Sequence, residues 1–374
     1  MASRGSRNLD DLRVEFALPA LGAGGAERVA SALANHWARN NRQVGFVTFE
    51  GKNQAPYFDL DSSIEISGLD LPAISSPKTQ ALKRTYERIS ALRKHFARVQ
   101  PDVIVSFLTK MNIMSVLATR GMGLPVIVSE RNNPELQSFD KLWTIARSLT
   151  FPNAAAFVTM TKNVLEFYPE RQRPNAKVIP NPVKLPSDLN FNSSGKSLVA
   201  VGRLTEQKRF DLLLRAFSMV AKKFPDWKLT IWGEGQDRAP LEQLRAELGL
   251  NDRVDMPGVS RDAGRWVEMA DVFVLSSDFE GWANVVAEAL AASVPVVTFN
   301  CDYGPREMVT HNHNGLLVPV GDVNGLADAL CTILGDDTLR HRLKENTKGF
   351  AETYSIPKIA AMWDDVILEA ISIR

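Results

Sequence analysis

Short apolar runs alternate with longer amphipathic stretches along this chain, and the alternation occurs twice. In the first half the runs are Arg13–Leu18, Val44–Phe49, Asp102–Phe107, Pro125–Ser129 and Ala156–Thr161. In the second half they are Ser197–Gly202, Lys228–Trp232, Arg253–Met256, Asp271–Leu275, Val294–Phe299 and Gly315–Val318. Each is rich in aliphatic or aromatic residues without strict polar alternation, as expected of parallel strands buried on both faces. Segments with helical spacing lie between them, such as Ala26–Asn40 and Gln80–Arg98. Strand–helix alternation of this kind reads as a parallel sheet covered by helices, and two series of similar length predict two doubly wound α/β domains. The proline-punctuated Ile179–Pro186 and the polar Ser187–Ser197 mark the junction, which gives domains over 1–185 and 186–356. A last helix, Pro357–Ser372, follows a Ser-Ile-Pro break.

A length of 374 residues suits two domains, and 45% hydrophobic with 23% charged residues is the composition of a soluble globular chain. Cys301 and Cys331 offer neither zinc spacing nor a disulfide framework, so a reducing compartment is expected. No apolar run approaches the roughly 18 residues of a spanning helix. The amino-terminal MASRGSRNLDDLR lacks the apolar core of a secretory signal. Residues 1–185 carry 24 Lys/Arg against 16 Asp/Glu, a net +8; the remaining 20 and 27 leave the second half at −7. Either the asymmetry is chance, or the first domain faces an anionic surface.

The chemistry concentrates in Phe279–Leu290, FEGWANVVAEAL, which follows the strand run Asp271–Leu275. Ligands of parallel α/β domains bind at the carboxyl ends of strands, so Glu280 and Glu288 are expected to face one crevice. A helix starting near Asn284 presents free N–H groups to an anion. Carboxylates for hydroxyl pairs and a helix end for phosphate suit a sugar nucleotide. Phe279, Gly281, Trp282 and Ala283 shape the loop that brings backbone N–H groups to it. Arg203 and Lys208 come directly after another strand, where two cations can neutralise a departing diphosphate. They can also replace a metal: Asp59-Leu-Asp61 has the letters of a metal motif, but sits far from these segments. The alternatives are a solvated strand end, an acid serving only a helix dipole, or a paired-carboxylate hydrolase. The last has no need of Arg203 and Lys208. After the first strand, Gly22, Gly24 and Gly25 allow close backbone approach to a ligand, or form a simple tight turn. Glu27 stands where a dinucleotide-binding loop needs its third glycine, which argues against a dehydrogenase.

These segments, taken together, resemble retaining glycosyltransferases of family 4, with the two-domain GT-B fold. Glu280 and Glu288 match the E-x7-E motif, and Val201–Lys208 the VGRL…K element. Trp232–Gly235 matches the glycine turn, Ile179–Val183 the domain junction, and Gly22–Arg28 the amino-terminal glycine loop. The resemblance implies two Rossmann-like domains facing a central cleft, with the last helix, 357–374, returning to the first domain. It implies that Glu280 binds hydroxyls of the transferred sugar and Glu288 the ribose, with Gly24, Gly25, Gly202, Gly233, Val259 and Asn284 at the donor. Trp232 is equally a pocket residue or plain core, and Arg306 a donor contact or an ion-pair partner. One departure stands out. Where many members carry a histidine, the loop here reads Ser129-Glu-Arg-Asn-Asn-Pro134, so Glu130, Arg131 or Asn132 takes its place on the acceptor side. That variant is similar to bacterial enzymes extending polyprenyl-diphosphate-linked glycans.

The expected reaction is metal-independent, cofactor-free transfer of a hexose or N-acetylhexosamine from a UDP-sugar to a lipid-linked glycan hydroxyl, with configuration retained. A GDP-mannose-dependent mannosyltransferase, a sugar-nucleotide 2-epimerase and a non-enzymatic nucleotide-sugar-binding subunit are the alternatives. The partners are the donor, a polyprenyl-diphosphate-linked acceptor and an anionic membrane, with no nucleic acid. The chain is expected in the cytoplasm, peripheral at the inner face of the cell membrane. Pro77–Arg98 is the candidate membrane contact. Leu82, Ile89, Leu92 and Phe96 form one stripe, and Lys78 to Arg98 hold seven Lys/Arg and one Glu, with Lys83, Arg84, Arg88 and Lys94 as lipid contacts. The competing reading is an outer helix whose stripe faces the sheet.

Overall fold

The computed structural model describes residues 9–51, 54–71, 78–135, 141–191, 195–260 and 264–372. The start of MASRGSRNLDDLR, residues 192–194 of the polar junction, Pro77 and 373–374 lie outside the described residues. The chain divides into two compact units, Met1–Pro182 with Ile356–Arg374, and Val183–Ser355. The first boundary falls before 183 rather than after 185, because the Val183 N–H donates to the Tyr354 carbonyl at 2.8 Å and is tied into the second unit.

The first unit holds seven parallel strands in the order β3-β2-β1-β4-β5-β6-β7. They are β1 Arg13–Ala17, β2 Gln43–Thr48, β3 Glu65–Gly68, β4 Val103–Phe107, β5 Val126–Glu130, β6 Ala156–Thr159 and β7 Lys177–Val178. Helices α1 Gly25–Arg39, α2 Lys78–Val99, α3 Thr109–Ala118, α4 Lys141–Thr150 and α5 Lys162–Phe167 connect them. The central strands β4 and β5 are buried at every position, which is why they read as unbroken apolar runs. Phe16 of β1 stacks on Trp37 at 5.6 Å and on Phe46 at 5.1 Å, joining α1 and β2 to the core. The helix Ile356–Ser372 belongs to this unit: Ile359, Trp363, Val366, Ile367 and Ala370 are buried, packed against α1, β4 and β5. Edge strands β3 and β7 escape a sequence reading because both are short and half-exposed.

The second unit holds six parallel strands in the order β10-β9-β8-β11-β12-β13. They are β8 Ser197–Val201, β9 Lys228–Trp232, β10 Val254–Gly258, β11 Val272–Leu275, β12 Val296–Phe299 and β13 Gly315–Val318. Helices α6 Phe210–Ala221, α7 Arg238–Glu247 and α8 Asn284–Ala291 lie among their crossovers. Edge strand β10 carries Pro257 and a register shift between Asp255 and Gly258, features an outer strand tolerates. The strand order reverses between β8 and β11, which pair directly through Val272 and Leu198. That switch point, at the carboxyl ends of the strands, is where an open α/β sheet takes a ligand.

Candidate functional site

The loops after β8 and β11 meet at that switch point and are laced together. Gln207 Nε2 donates to the Phe279 carbonyl at 2.9 Å, the Asp278 N–H to the Gln207 carbonyl at 3.0 Å, and Ser276 Oγ to the Lys208 carbonyl at 2.8 Å. Within this frame Lys208 Nζ stands 2.5 Å from Glu280 Oε1, and Ser277 Oγ donates to the same oxygen at 2.7 Å. Both charged side chains are nearly buried. The ammonium thus holds the carboxylate in one orientation. Arg209, left-handed at φ 47°, turns the chain into α6 and pairs with Asp211 and Asp278. Arg203 is exposed, and among the described residues its side chain makes no hydrogen bond or ion pair.

Close backbone approach sets the floor of the site. The Gly202 N–H donates to the Trp232 carbonyl, the Gly233 N–H to the Gly258 carbonyl, and the Leu204 N–H to the Glu234 carbonyl. A β-carbon on Gly233, whose φ is 146°, would stand 1.8 Å from the Gly202 carbonyl oxygen. Gly233→Ala is therefore expected to cost about 3 kcal/mol or more through strain and overpacking. At Gly22 nothing lies within 4 Å of a β-carbon, so Gly22→Ala should stay within about 0.5 kcal/mol. Urea unfolding of the two variants compares them; equal stability would show that the loops are not packed this closely.

The loop after β11 ends at Ala283, left-handed at φ 59°, and Asn284 opens α8. Trp282 is buried against Tyr354 at 5.6 Å, so it supports the loop from behind. Gly304 admits the loop after β12: a β-carbon there would crowd the Trp282 carbonyl and the Glu280 side chain. Cys301, in that loop, is buried, and burial first, then the charge of Glu280, pushes its thiol up to about 12. Such a thiol is not a nucleophile at neutral pH. Glu288 belongs to a different network: buried in α8, it accepts from the Trp266 indole at 3.0 Å. Phe279 and Gly281 are half-buried beside Glu280, and Val259 is exposed after β10. Arg306 pairs with Asp302 at 2.7 Å and reaches Asn300. Sequence reasoning missed Ser277, Gln207 and Trp266. Only Ser277 left a signal, three residues before Glu280.

In the first unit, Gly24 caps α1 in extended conformation. Its lack of a β-carbon leaves room for the Glu27 carboxylate, which would otherwise be 2.1 Å away. Gly25 opens the helix and is exposed. Asp61 serves a turn, its Oδ1 accepting from the Ser63 N–H and hydroxyl, and the Asp59 carbonyl accepts from Asn35 Nδ2 at 2.8 Å.

The acceptor-side expectation needs correction for two of its three residues. Glu130 is fully buried at the end of β5, accepting from Thr109 Oγ1 at 2.6 Å, Asn112 Nδ2 at 2.7 Å and the Tyr168 hydroxyl at 3.1 Å. Burial raises its pKa. Arg131 is buried as well. It donates to Ser129 Oγ and Asn181 Oδ1 and lies over the rings of Phe107 and Trp363, and burial lowers its pKa to about 9. Their hydrogen bonds hold the loop in place, and Asn132 alone of the three is exposed.

The α2 stripe divides. Leu92 and Phe96 are buried, and Ile89 is half-buried, while Leu82 is exposed. Lys83 and Lys94 are exposed and Arg84 half-buried. Arg88 is corrected: it donates to the Leu71 carbonyl at 3.0 Å and lies over Phe49, so packing takes it from the outer face. No helix among the described residues is long and apolar enough to cross a membrane.

Comparison with known proteins bears on the family and the fold. Residues 23–185 match the family described as Glycosyltransferase Family 4, and residues 184–350 that described as Glycosyl transferases group 1. An α-1,4-N-acetyl-D-galactosaminyltransferase of Campylobacter jejuni is 28% identical over 96% of this chain and 99% of its own. Its name specifies a GalNAc-containing glycan on diphospho-undecaprenol. Among solved structures, sucrose-phosphate synthase of Thermosynechococcus elongatus superposes with a TM-score of 0.81 at 18% identity, covering 97% of this chain and all of that one. HepE of Anabaena, in complex with UDP, gives 0.73 at 18% identity, covering 95% and 99%.

Proposed function

Because the chain belongs to the glycosyltransferases, with a family 4 domain followed by a group 1 domain, we propose that it moves a hexose or N-acetylhexosamine from a UDP-sugar to a hydroxyl of a lipid-linked glycan. The sugar keeps its configuration and no metal takes part. The observation that carries this reading is the Lys208–Glu280–Ser277 cluster at the β8/β11 switch point. Glu280, held by Lys208 and Ser277, offers its remaining oxygen to hydroxyls of the transferred sugar. Lys208 and the exposed Arg203 neutralise the diphosphate as it leaves, and charge stabilisation of this kind is often the largest catalytic contribution. The amino end of α8 presents backbone N–H groups to the same phosphates. Glu288 takes the ribose.

Retention follows from a front-face path, in which the acceptor hydroxyl attacks from the side the diphosphate leaves and the leaving phosphate accepts its proton. The unreactive Cys301 thiol is consistent with a path lacking an enzymic nucleophile. The UDP bound to the Anabaena neighbour and the undecaprenol-linked glycan in the Campylobacter relative's name support the donor and acceptor classes. The cations of α2 support a peripheral station at an anionic membrane.

The test is UDP release from UDP-sugars, with and without an undecaprenyl-diphosphate glycan, in excess EDTA. Release that needs acceptor and survives EDTA is expected. Acceptor-independent epimerisation would replace the reading with the epimerase. A strict requirement for added Mg²⁺ or Mn²⁺ would refute metal independence.

A further inference from the structure

Helix α4 carries a surface that the reaction does not explain. Leu142, Ile145 and Leu149 are 57%, 56% and 69% exposed, and their spacing puts them on one helical face. The opposite side is anchored: Thr150 is buried, and Arg147 lies over Tyr168 at 5.0 Å. The stripe is therefore not a core surface left loose. On α2, Leu82 and Tyr86 are 65% and 73% exposed, four residues apart. Helix α2 packs on α3 and α3 on α4, and Lys110 of α3 lies over Trp143 of α4 at 5.2 Å. With Leu117 of α3, these helices carry six of the sixteen large hydrophobic side chains exposed among the described residues. Yet they comprise only 22, 10 and 10 residues. Each of α2 and α4 leads back into a strand of a parallel sheet, so their amino-terminal ends share the sheet's carboxyl edge.

The charge on the same helices selects the occupant. Arg88 and Arg147 pack inward, but Lys83, Arg93, Lys94, Arg98, Lys110 and Lys141 are exposed, against the single acid Glu87. A second copy docking two-fold would set this cationic surface against itself. A helix with an apolar stripe and Lys/Arg beside it matches an anionic bilayer, the stripe entering the acyl boundary and the cations meeting headgroups.

We propose that α4, with the amino-terminal half of α2, is a lipid-docking face into which Leu142, Ile145 and Leu149 supply the inserted side chains. The inference rests on the membrane station proposed above and adds a second, apolar attachment on a different helix. Electrostatic attraction fades with salt, whereas insertion persists.

The experiment is co-sedimentation of the full chain with phosphatidylglycerol/phosphatidylcholine vesicles, at low salt and at about 1 M, where the Debye length is only about 3 Å. The wild type is expected to bind, with a fraction surviving high salt. Leu142→Ser/Ile145→Ser/Leu149→Ser should lower the partition coefficient about tenfold or more and remove the surviving fraction. Its melting temperature should be unchanged, because the three side chains are exposed. Lys83→Gln/Lys94→Gln should lose the low-salt gain and keep the salt-resistant part. If the triple variant binds like the wild type while the lysine variant does not, the inserted stripe is refuted and the electrostatic station stands. If the wild type ignores these vesicles at low salt, both fall. A triple variant that turns a dimer into a monomer in sedimentation velocity would reassign the stripe to a contact between copies.

Discussion

Arg203→Ala should lower turnover about 10²-fold or more, the scale on which a single preorganised charge stabiliser acts. Its melting temperature should not move, since the side chain is exposed and unengaged among the described residues. Lys208→Ala should lose at least as much activity, and in addition stability. Removing the ammonium leaves the Glu280 carboxylate nearly buried without its cation, a change that costs up to about 3 to 5 kcal/mol in well-buried pairs. Lys208→Arg keeps a charge in place and should recover stability more than turnover, because a planar fork cannot reproduce the point contact with Glu280. Steady-state kinetics beside thermal unfolding separates the two losses. Turnover near wild type in both alanine variants would remove these cations from the chemistry.

Glu280→Ala and Glu288→Ala should fail in different ways. Glu280→Ala is expected to reduce transfer to about 1% or less, the scale of losing a contact made in the transition state. It should bind free UDP no more weakly than the wild type, since it releases Lys208 toward phosphate. Glu288→Ala should weaken free UDP about tenfold, as loss of charged hydrogen bonds to ribose would. It should also cost about 1 to 3 kcal/mol of stability, because the buried Trp266 indole loses its acceptor. Calorimetry with UDP and with the intact donor measures both. Equal effects on UDP affinity would end the division of labour between the carboxylates.

Much of the architecture could be read from residues because the central strands are buried on both faces. Val103–Phe107 and Val272–Leu275 have no exposed position, so their letters carry no ambiguity. The edge strands Glu65–Gly68 and Lys177–Val178 have no such constraint and look like loop. At the site, Glu280 and Lys208 were legible as types at strand ends. Their ion pair was not, since Lys208 and Glu280 lie on different loops whose meeting depends on the order of β8 and β11. Glu130 and Arg131 show the opposite failure. Charged letters beside a strand end suggest ligand contacts, and nothing local reveals that Thr109, Asn112, Tyr168 and Asn181 have already claimed them. Periodicity in α2 gave the stripe but not which part of it is covered: Leu92 and Phe96 are buried, and Leu82 remains outside.

The first unit is discontinuous in sequence, and this bears on the order in which the protein can be made. Domains generally form as they leave the ribosome, the earlier before the later. Here the sheet of Met1–Pro182 lacks a wall until Ile356–Ser372 has been synthesised, because Trp363, Ile359 and Val366 complete its core. The intervening unit, Val183–Ser355, is synthesised in full before that helix begins. During synthesis the nascent first unit thus waits with apolar surface uncovered while its downstream neighbour folds, and a stop within Ile356–Ser372 would strand the portion of the chain made first.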